Sequence, residues 1–160
     1  MSERNETEPS HHFQADDRHS WIRLDGSGVL VREGRAWPFL LEYGRGTLDA
    51  GNFRVKFFGY RQYYEFEVWW ESFAVEPALL FVCADTRAEN RVVAAANEVE
   101  WAMPLRLTSE WRVPRDPANA RGLLGPVWRS LGESLTTRQP WPPDITARSE
   151  IARTSDGDPA

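Results

Sequence analysis

Lys56 is the only lysine in a chain that fills the other eighteen of its nineteen Lys and Arg positions with arginine. Arginine holds its proton too tightly to serve as a tunable amine, whereas a lysine amine is a compact charge whose pKa responds to burial. Upstream of it stand Asp25, closing one short apolar run, and Glu42, within another. Two carboxylates on neighbouring strands can share a hard divalent cation such as Mg2+, which prefers oxygen ligands and keeps positions open for phosphate and water. A lysine beside them would balance charge on the phosphate or orient the attacking water, so the three residues supply the parts for metal-assisted phosphodiester hydrolysis. Other duties stay open for the same side chains. Asp25 precedes Gly26, a setting in which aspartate accepts backbone hydrogen bonds in a turn. Glu42 paired with Lys56 or Arg45 would need no metal. Arg45 and Arg54 flank the expected centre and are the candidates for contact with nucleic-acid phosphate.

These residues have to be positioned by the elements that carry them. Trp21 to Asp25 is a short extended run stopped by Gly26-Ser27-Gly28, Val29 to Val31 is a second, and Trp37 to Tyr43 follows the break at Gly34. Residues 21 to 43 therefore read as an antiparallel meander with glycine-containing turns. Thr47 with Asp49 supplies a helix start. Phe53, Phe57, Tyr60 and Tyr64 then recur at the spacing of one helical face, with Lys56 at its border. Phe66, Trp69, Trp70 and Phe73 continue a helical pattern, although Phe66, Val68 and Trp70 also alternate as a strand would. Ala78 to Ala84 suits a strand buried on both faces, and Asp85 to about Glu100 a helix, which makes a strand-to-helix crossover. Pro104 to Thr108 and Trp111 to Val113 suggest a last edge strand, and Gly125 to Arg129 a final turn packed by Trp128. The expected fold is α/β, with a mixed central sheet, an N-terminal meander and flanking helices.

A length of 160 residues with 41% hydrophobic positions, eight tryptophans and eight phenylalanines suits one domain with a substantial core. Three segments are expected: a disordered polar tail over 1–19, the domain over 20–138, and a second disordered, proline-rich acidic tail over 139–160. His11 and His12 are adjacent and lack a helical metal spacing. Cys83 is the single cysteine, so disulfide and cysteine–zinc architectures are excluded and a buried strand position is expected. No apolar run reaches the length of about twenty residues that spans a bilayer, and the first thirty residues lack the order of a signal peptide. The chain reads as cytoplasmic, with no membrane partner. The net charge of −5 resides in the tails, because residues 20–138 hold fifteen acids and fifteen bases. A neutral core lacks the basic footprint of an autonomous nucleic-acid binder, so any DNA contact needs a local patch or a partner.

Taken in order, Leu24-Asp25-Gly26, then Phe39-Leu40-Leu41-Glu42-Tyr43-Gly44-Arg45-Gly46-Thr47, Lys56 with Tyr60, Leu79-Leu80-Phe81-Val82 and Gly125-Pro126-Val127-Trp128-Arg129 resemble the replication-relaxation family across roughly residues 21 to 131. That family is similar to PD-(D/E)XK nuclease-like domains, usually follows a winged-helix DNA-binding segment, and is associated with plasmid and mobile-element replication or DNA processing. The resemblance implies a restriction-endonuclease-like fold, Asp25 and Glu42 as ligands of Mg2+, and Lys56 as the catalytic lysine displaced from the strand onto the helix. Three positions depart from the pattern. Leu24 stands where a proline often precedes the first acid, Gly44 fills a slot that is commonly acidic, and no winged helix fits before Ser20. Loss of the acid at Gly44 lowers the negative charge available to a metal, which implies a degenerate site. The alternative is a non-catalytic module of the same fold, in which an aromatic surface including Trp69 and Trp70 binds a protein partner or a second copy.

Overall fold

Glu33 and Gly34 both take positive φ, 52° and 72°, the pair of angles that matches a two-residue hairpin turn to the twist of its strands. The turn joins β3 (Gly26–Arg32) to β4 (Arg35–Gly44), with Arg32 opposite Arg35 and Gly26 opposite Leu41. These features come from a computed structural model that describes residues 10–15, 18–44, 50–100, 102–113 and 122–143. The expected cap at Thr47 lies outside the described residues.

β4 pairs in parallel with β5 (Ala78–Cys83), and β5 in parallel with β6 (Leu105–Ser109). The short β7 (Arg129–Ser130) is antiparallel to β6, which gives one five-stranded mixed sheet in the order β3-β4-β5-β6-β7. Helix α1 (Ala50–Glu65) crosses from β4 to β5, and α2 (Thr86–Glu98) from β5 to β6. Successive crossovers that advance in one direction, each of the usual right hand, place both helices on one face of the sheet. In keeping with this, Phe57 and Tyr60 of α1 and Val92 and Ala96 of α2 share a core with Leu40, Leu79, Phe81 and Leu107 of the sheet. Phe57 and Phe81 stack with centroids 6.0 Å apart. The opposite face carries Leu41, Leu80 and Val82 and is covered by Val127, Trp128 and Trp141. Coverage of both faces explains why β5 is apolar throughout instead of alternating. The α/β class and the mixed sheet are as expected.

Several expectations change. Between positions 10 and 19, read as a disordered tail, β1 (Ser10–Ala15) pairs with the start of β2 (Arg18–Arg23) in a separate antiparallel hairpin, with His11 opposite Ile22. A hairpin pairs its own backbone groups and needs no apolar periodicity in both strands, which is why composition hid it. The first residues of the expected C-terminal tail are ordered against the domain: Gln139 bridges to Trp128, and Trp141 is buried against Phe39. The helical pattern of 65–73 stops at Glu65, because Glu67 adopts a left-handed φ of 52°, and resumes as a 3-10 turn over Val68–Glu71. β6 is interior, since β7 takes the outer edge, and Glu110–Arg112 forms a 3-10 turn where a strand continuation was expected.

Candidate functional site

In a strand the side chains alternate between faces, so Leu40, Glu42 and Gly44 of β4 share the face beneath α1 and all are buried. An acid placed there must find partners, because a buried charge without them is costly. Glu42, 4% exposed, finds two on α1. The Lys56 ammonium pairs with its Oε1, and the Tyr60 hydroxyl donates to its Oε2 at 2.8 Å. Lys56 and Tyr60 are four apart and so lie on one helical face. Burial pushes the Lys56 amine below its ordinary range; the charge of Asp25 opposes that shift and Arg23 adds to it. Burial likewise pushes the Tyr60 hydroxyl well above 10, with Tyr64 and Asp25 adding to the effect.

Asp25 lies in the bend between β2 and β3 and is anchored to β4 twice. Its N–H donates to the Leu41 carbonyl at 3.1 Å, and its Oδ2 accepts the Tyr43 N–H at 2.6 Å. The turn duty open to it from sequence is therefore occupied. Its charge nonetheless acts on both Lys56 and Tyr60, so Asp25, Glu42 and Lys56 gather at one corner of the molecule, near the carboxyl end of β4. Arg54 is not part of that corner. Two residues along a helix turn the side chain by roughly 200°, and Arg54 instead meets Glu98 of α2 at 2.9 Å in an exposed pair. Arg45 lies outside the described residues.

A divalent cation asks for several free oxygen ligands. Here each oxygen of Glu42 already has a donor, and one oxygen of Asp25 holds a backbone N–H. At the commonly acidic slot, a Cβ added to Gly44 would stand 3.0 Å from Cε1 of Phe81, so the ring occupies the space an acid would need. Among the described residues, no three His, Cys, Asp or Glu side chains are grouped to hold a metal ion. The arrangement does not fit Mg2+; the lysine supplies the positive charge that a metal would have brought.

A second polar cluster escaped the sequence reading. Glu89, in the first turn of α2, has no exposed surface and lies among Arg112, Arg129 and Arg138. Arg138 grips both of its oxygens, at 2.8 and 3.3 Å, and Ser109 donates its hydroxyl at 2.5 Å. The signal was present: Glu89 is in phase with Val92, Ala96 and Val99 on the buried stripe of α2, and an acid in an apolar stripe requires a cation on the facing element. Its arginine partners lie 23 to 49 residues further along the chain, so spacing alone did not reveal them. Comparison of the chain with protein-family models, with curated proteins and with solved structures finds no match.

Proposed function

We propose that this chain is a nuclease-like domain of replication-relaxation type, serving plasmid or mobile-element DNA processing, whose PD-(D/E)XK-like centre has become a structural polar cluster without phosphodiesterase activity. The observation that carries the reading is the convergence of Asp25, Glu42 and Lys56 at the carboxyl end of β4, with the amine closed onto the glutamate. A hairpin feeding a parallel crossover, as in β3-β4-α1-β5, is consistent with a restriction-endonuclease-like arrangement. The engaged oxygens of Glu42 and the ring-filled slot at Gly44 favour the degenerate form of such a centre.

The test incubates the full chain with supercoiled and single-stranded DNA and Mg2+ or Mn2+, beside Glu42→Gln. The expected result is no metal-dependent nicking by either protein and no rise in Tm with metal, since a ligand that prefers the folded state must raise stability by mass action. Nicking by the wild type that is lost in Glu42→Gln overturns the degenerate assignment. Association with plasmid DNA is followed across salt, because phosphate contacts weaken steeply between about 50 and 200 mM; absence of binding at the lowest salt removes a direct action on DNA by this chain alone.

A specific feature favours a second reading, a module for protein interaction or self-association. Helix α1 exposes Val55 and Phe58 among its polar side chains, and Phe66 just beyond it and Trp70, which is 70% exposed, are exposed as well. Exposed tryptophan is enriched among the residues that anchor protein interfaces. Trp69 instead packs partly into the core and meets Trp70 edge-on at 5.7 Å, so Trp70 alone of the pair is available as an anchor. Sedimentation velocity of the wild type beside Phe58→Glu tests this reading; identical monomer profiles for both exclude self-association through α1.

A further inference from the structure

The Glu89 cluster is unbalanced in charge. Three guanidiniums surround one carboxylate, and the Arg129 and Arg138 side chains are each only 8% exposed, so water does little to screen the surplus. The acid nearest in sequence, Asp85, is engaged elsewhere, capping α2 by accepting the Ala88 N–H at 2.7 Å. Glu110 is exposed and therefore screened. Arg112 registers the surplus: burial lowers its pKa, the charges of Arg138 and Arg129 lower it further, and Glu89 only partly opposes them. Two N–H groups also lack an acceptor among the described residues. The Nε atoms of Arg112 and Arg129 are buried with no hydrogen-bond partner there, Arg112 Nε being 3.8 Å from a Glu89 oxygen, beyond hydrogen-bond reach.

The cluster lies at the carboxyl end of the sheet, where Cys83 and Ser109 end the parallel strands β5 and β6. Arg112 stacks 4.2 Å over the Trp111 ring. Trp111 also lines a mainly apolar groove of about 660 Å³, together with Leu41, Tyr43, Val82 and Glu110 among others, a size suited to a small organic ligand.

We propose that Arg112 and Arg129, held in place by Glu89 and Arg138, bind a phosphate-monoester dianion whose carrier occupies the Trp111 groove. The two surplus positive charges match a group that carries nearly two negative charges at neutral pH, and guanidinium forks suit its oxygens. Orthophosphate, a nucleoside 5'-monophosphate and a 5'-phosphorylated DNA end share this chemistry. The site has no residue in common with Asp25, Glu42 and Lys56, so its fate is independent of the function proposed above.

The experiment is a set of thermal melts of the full chain at matched ionic strength. Orthophosphate is compared with chloride, a nucleoside 5'-monophosphate with its nucleoside, and a 5'-phosphorylated oligonucleotide with its 5'-hydroxyl form. The wild type is expected to gain several degrees in Tm with a phosphate monoester. Arg112→Gln, at the partly exposed rim, should lose that gain, and Arg35→Gln, exposed at the β3–β4 hairpin, should keep it. A gain largest for the phosphorylated oligonucleotide assigns the DNA end, and a gain limited to orthophosphate or the mononucleotide assigns a small free ligand; both uphold the site. No gain with any of the three, or an equal gain in Arg112→Gln, overturns it.

Discussion

Tyr60 and Lys56 hold opposite oxygens of one buried carboxylate, the hydroxyl donating to Glu42 Oε2 at 2.8 Å and the ammonium pairing with Oε1. A structural cluster of this kind must show itself in stability. Tyr60→Phe keeps the ring packed but leaves a buried acceptor short of a donor, an expected loss of about 1–2 kcal/mol. Lys56→Met removes the cation paired with Glu42 and should cost more, about 3 kcal/mol. Adding Glu42→Leu to Lys56→Met should recover most of that loss, because removing both partners leaves no charge stranded. Urea midpoints of the three variants check the order. A Lys56→Met protein as stable as the wild type would contradict the structural role.

Gly44 gives a steric counterpart. Its absent Cβ would lie 3.0 Å from Cε1 of Phe81 and 3.7 Å from the Val82 carbonyl. Gly44→Asp should therefore destabilise the fold by about 1–3 kcal/mol through overpacking, before any cost of burying the new charge. Combining it with Phe81→Ala opens room for the acid, although the cavity from losing the ring costs about 3–5 kcal/mol on its own. The measurement is Tm with and without millimolar Mn2+. No metal-dependent shift is expected for Gly44→Asp alone, and a shift there would show that the ring yields to an acid.

The contrast between the two polar clusters shows what the sequence revealed and what it hid. The corner of Asp25, Glu42 and Lys56 was legible because its residues lie close along the chain, on the bend before β3, on β4 and on the helix that follows, although the meander expected over 21–43 does not form, since β2 pairs with β1 in a separate sheet. Periodicity placed Lys56 at the edge of the Phe53, Phe57 and Tyr60 stripe, and the burial of that stripe fits. What periodicity could not tell was whether the amine faced a metal site or the glutamate itself, since both need it in the same place. The arginines around Glu89 come from a 3-10 turn, a two-residue strand and the loop beyond it, none of which carries a repeating pattern to read. The β1–β2 hairpin was hidden for a similar reason, as backbone pairing leaves little mark on composition.

Alkaline titration gives a third expected outcome, with a definite sign. Burial pushes the Cys83 thiol from 9 to about 12 and the Tyr63 hydroxyl from 10 to about 12, and lifts Tyr60 and Tyr64 well above 10. The unfolded chain releases these protons first, so the folded state binds more of them and stability falls as pH rises. The decline begins near pH 9 with the thiol and steepens above pH 10 as the tyrosines of the unfolded chain ionise. Each group contributes up to about 1.4 kcal/mol per pH unit in its window. Lys56 acts oppositely, because its folded pKa lies below 10.5 and the unfolded chain holds that proton longer, but it is one group against four. Tm should fall between pH 9 and 11, and Cys83→Ala should delay the onset toward pH 10. A Tm that climbs across this range would contradict the burial of the three tyrosines.

Glu89→Gln tests whether the second cluster is held by its charge. The amide keeps the shape and can still accept from Ser109, but it leaves Arg112, Arg129 and Arg138 facing one another without the Glu89 charge in a place only Arg112 opens to water. Stranding buried charge in this way costs about 3–5 kcal/mol, so the urea midpoint should drop sharply with no change in slope. Because the added destabilisation is surplus positive charge, an anion that enters the cluster should restore part of it. Orthophosphate is therefore expected to raise the Tm of Glu89→Gln more than that of the wild type, at an ionic strength matched with chloride. A variant destabilised to the same extent in phosphate and in chloride would show that the loss is one of packing and hydrogen bonding, and that no anion reaches the three arginines.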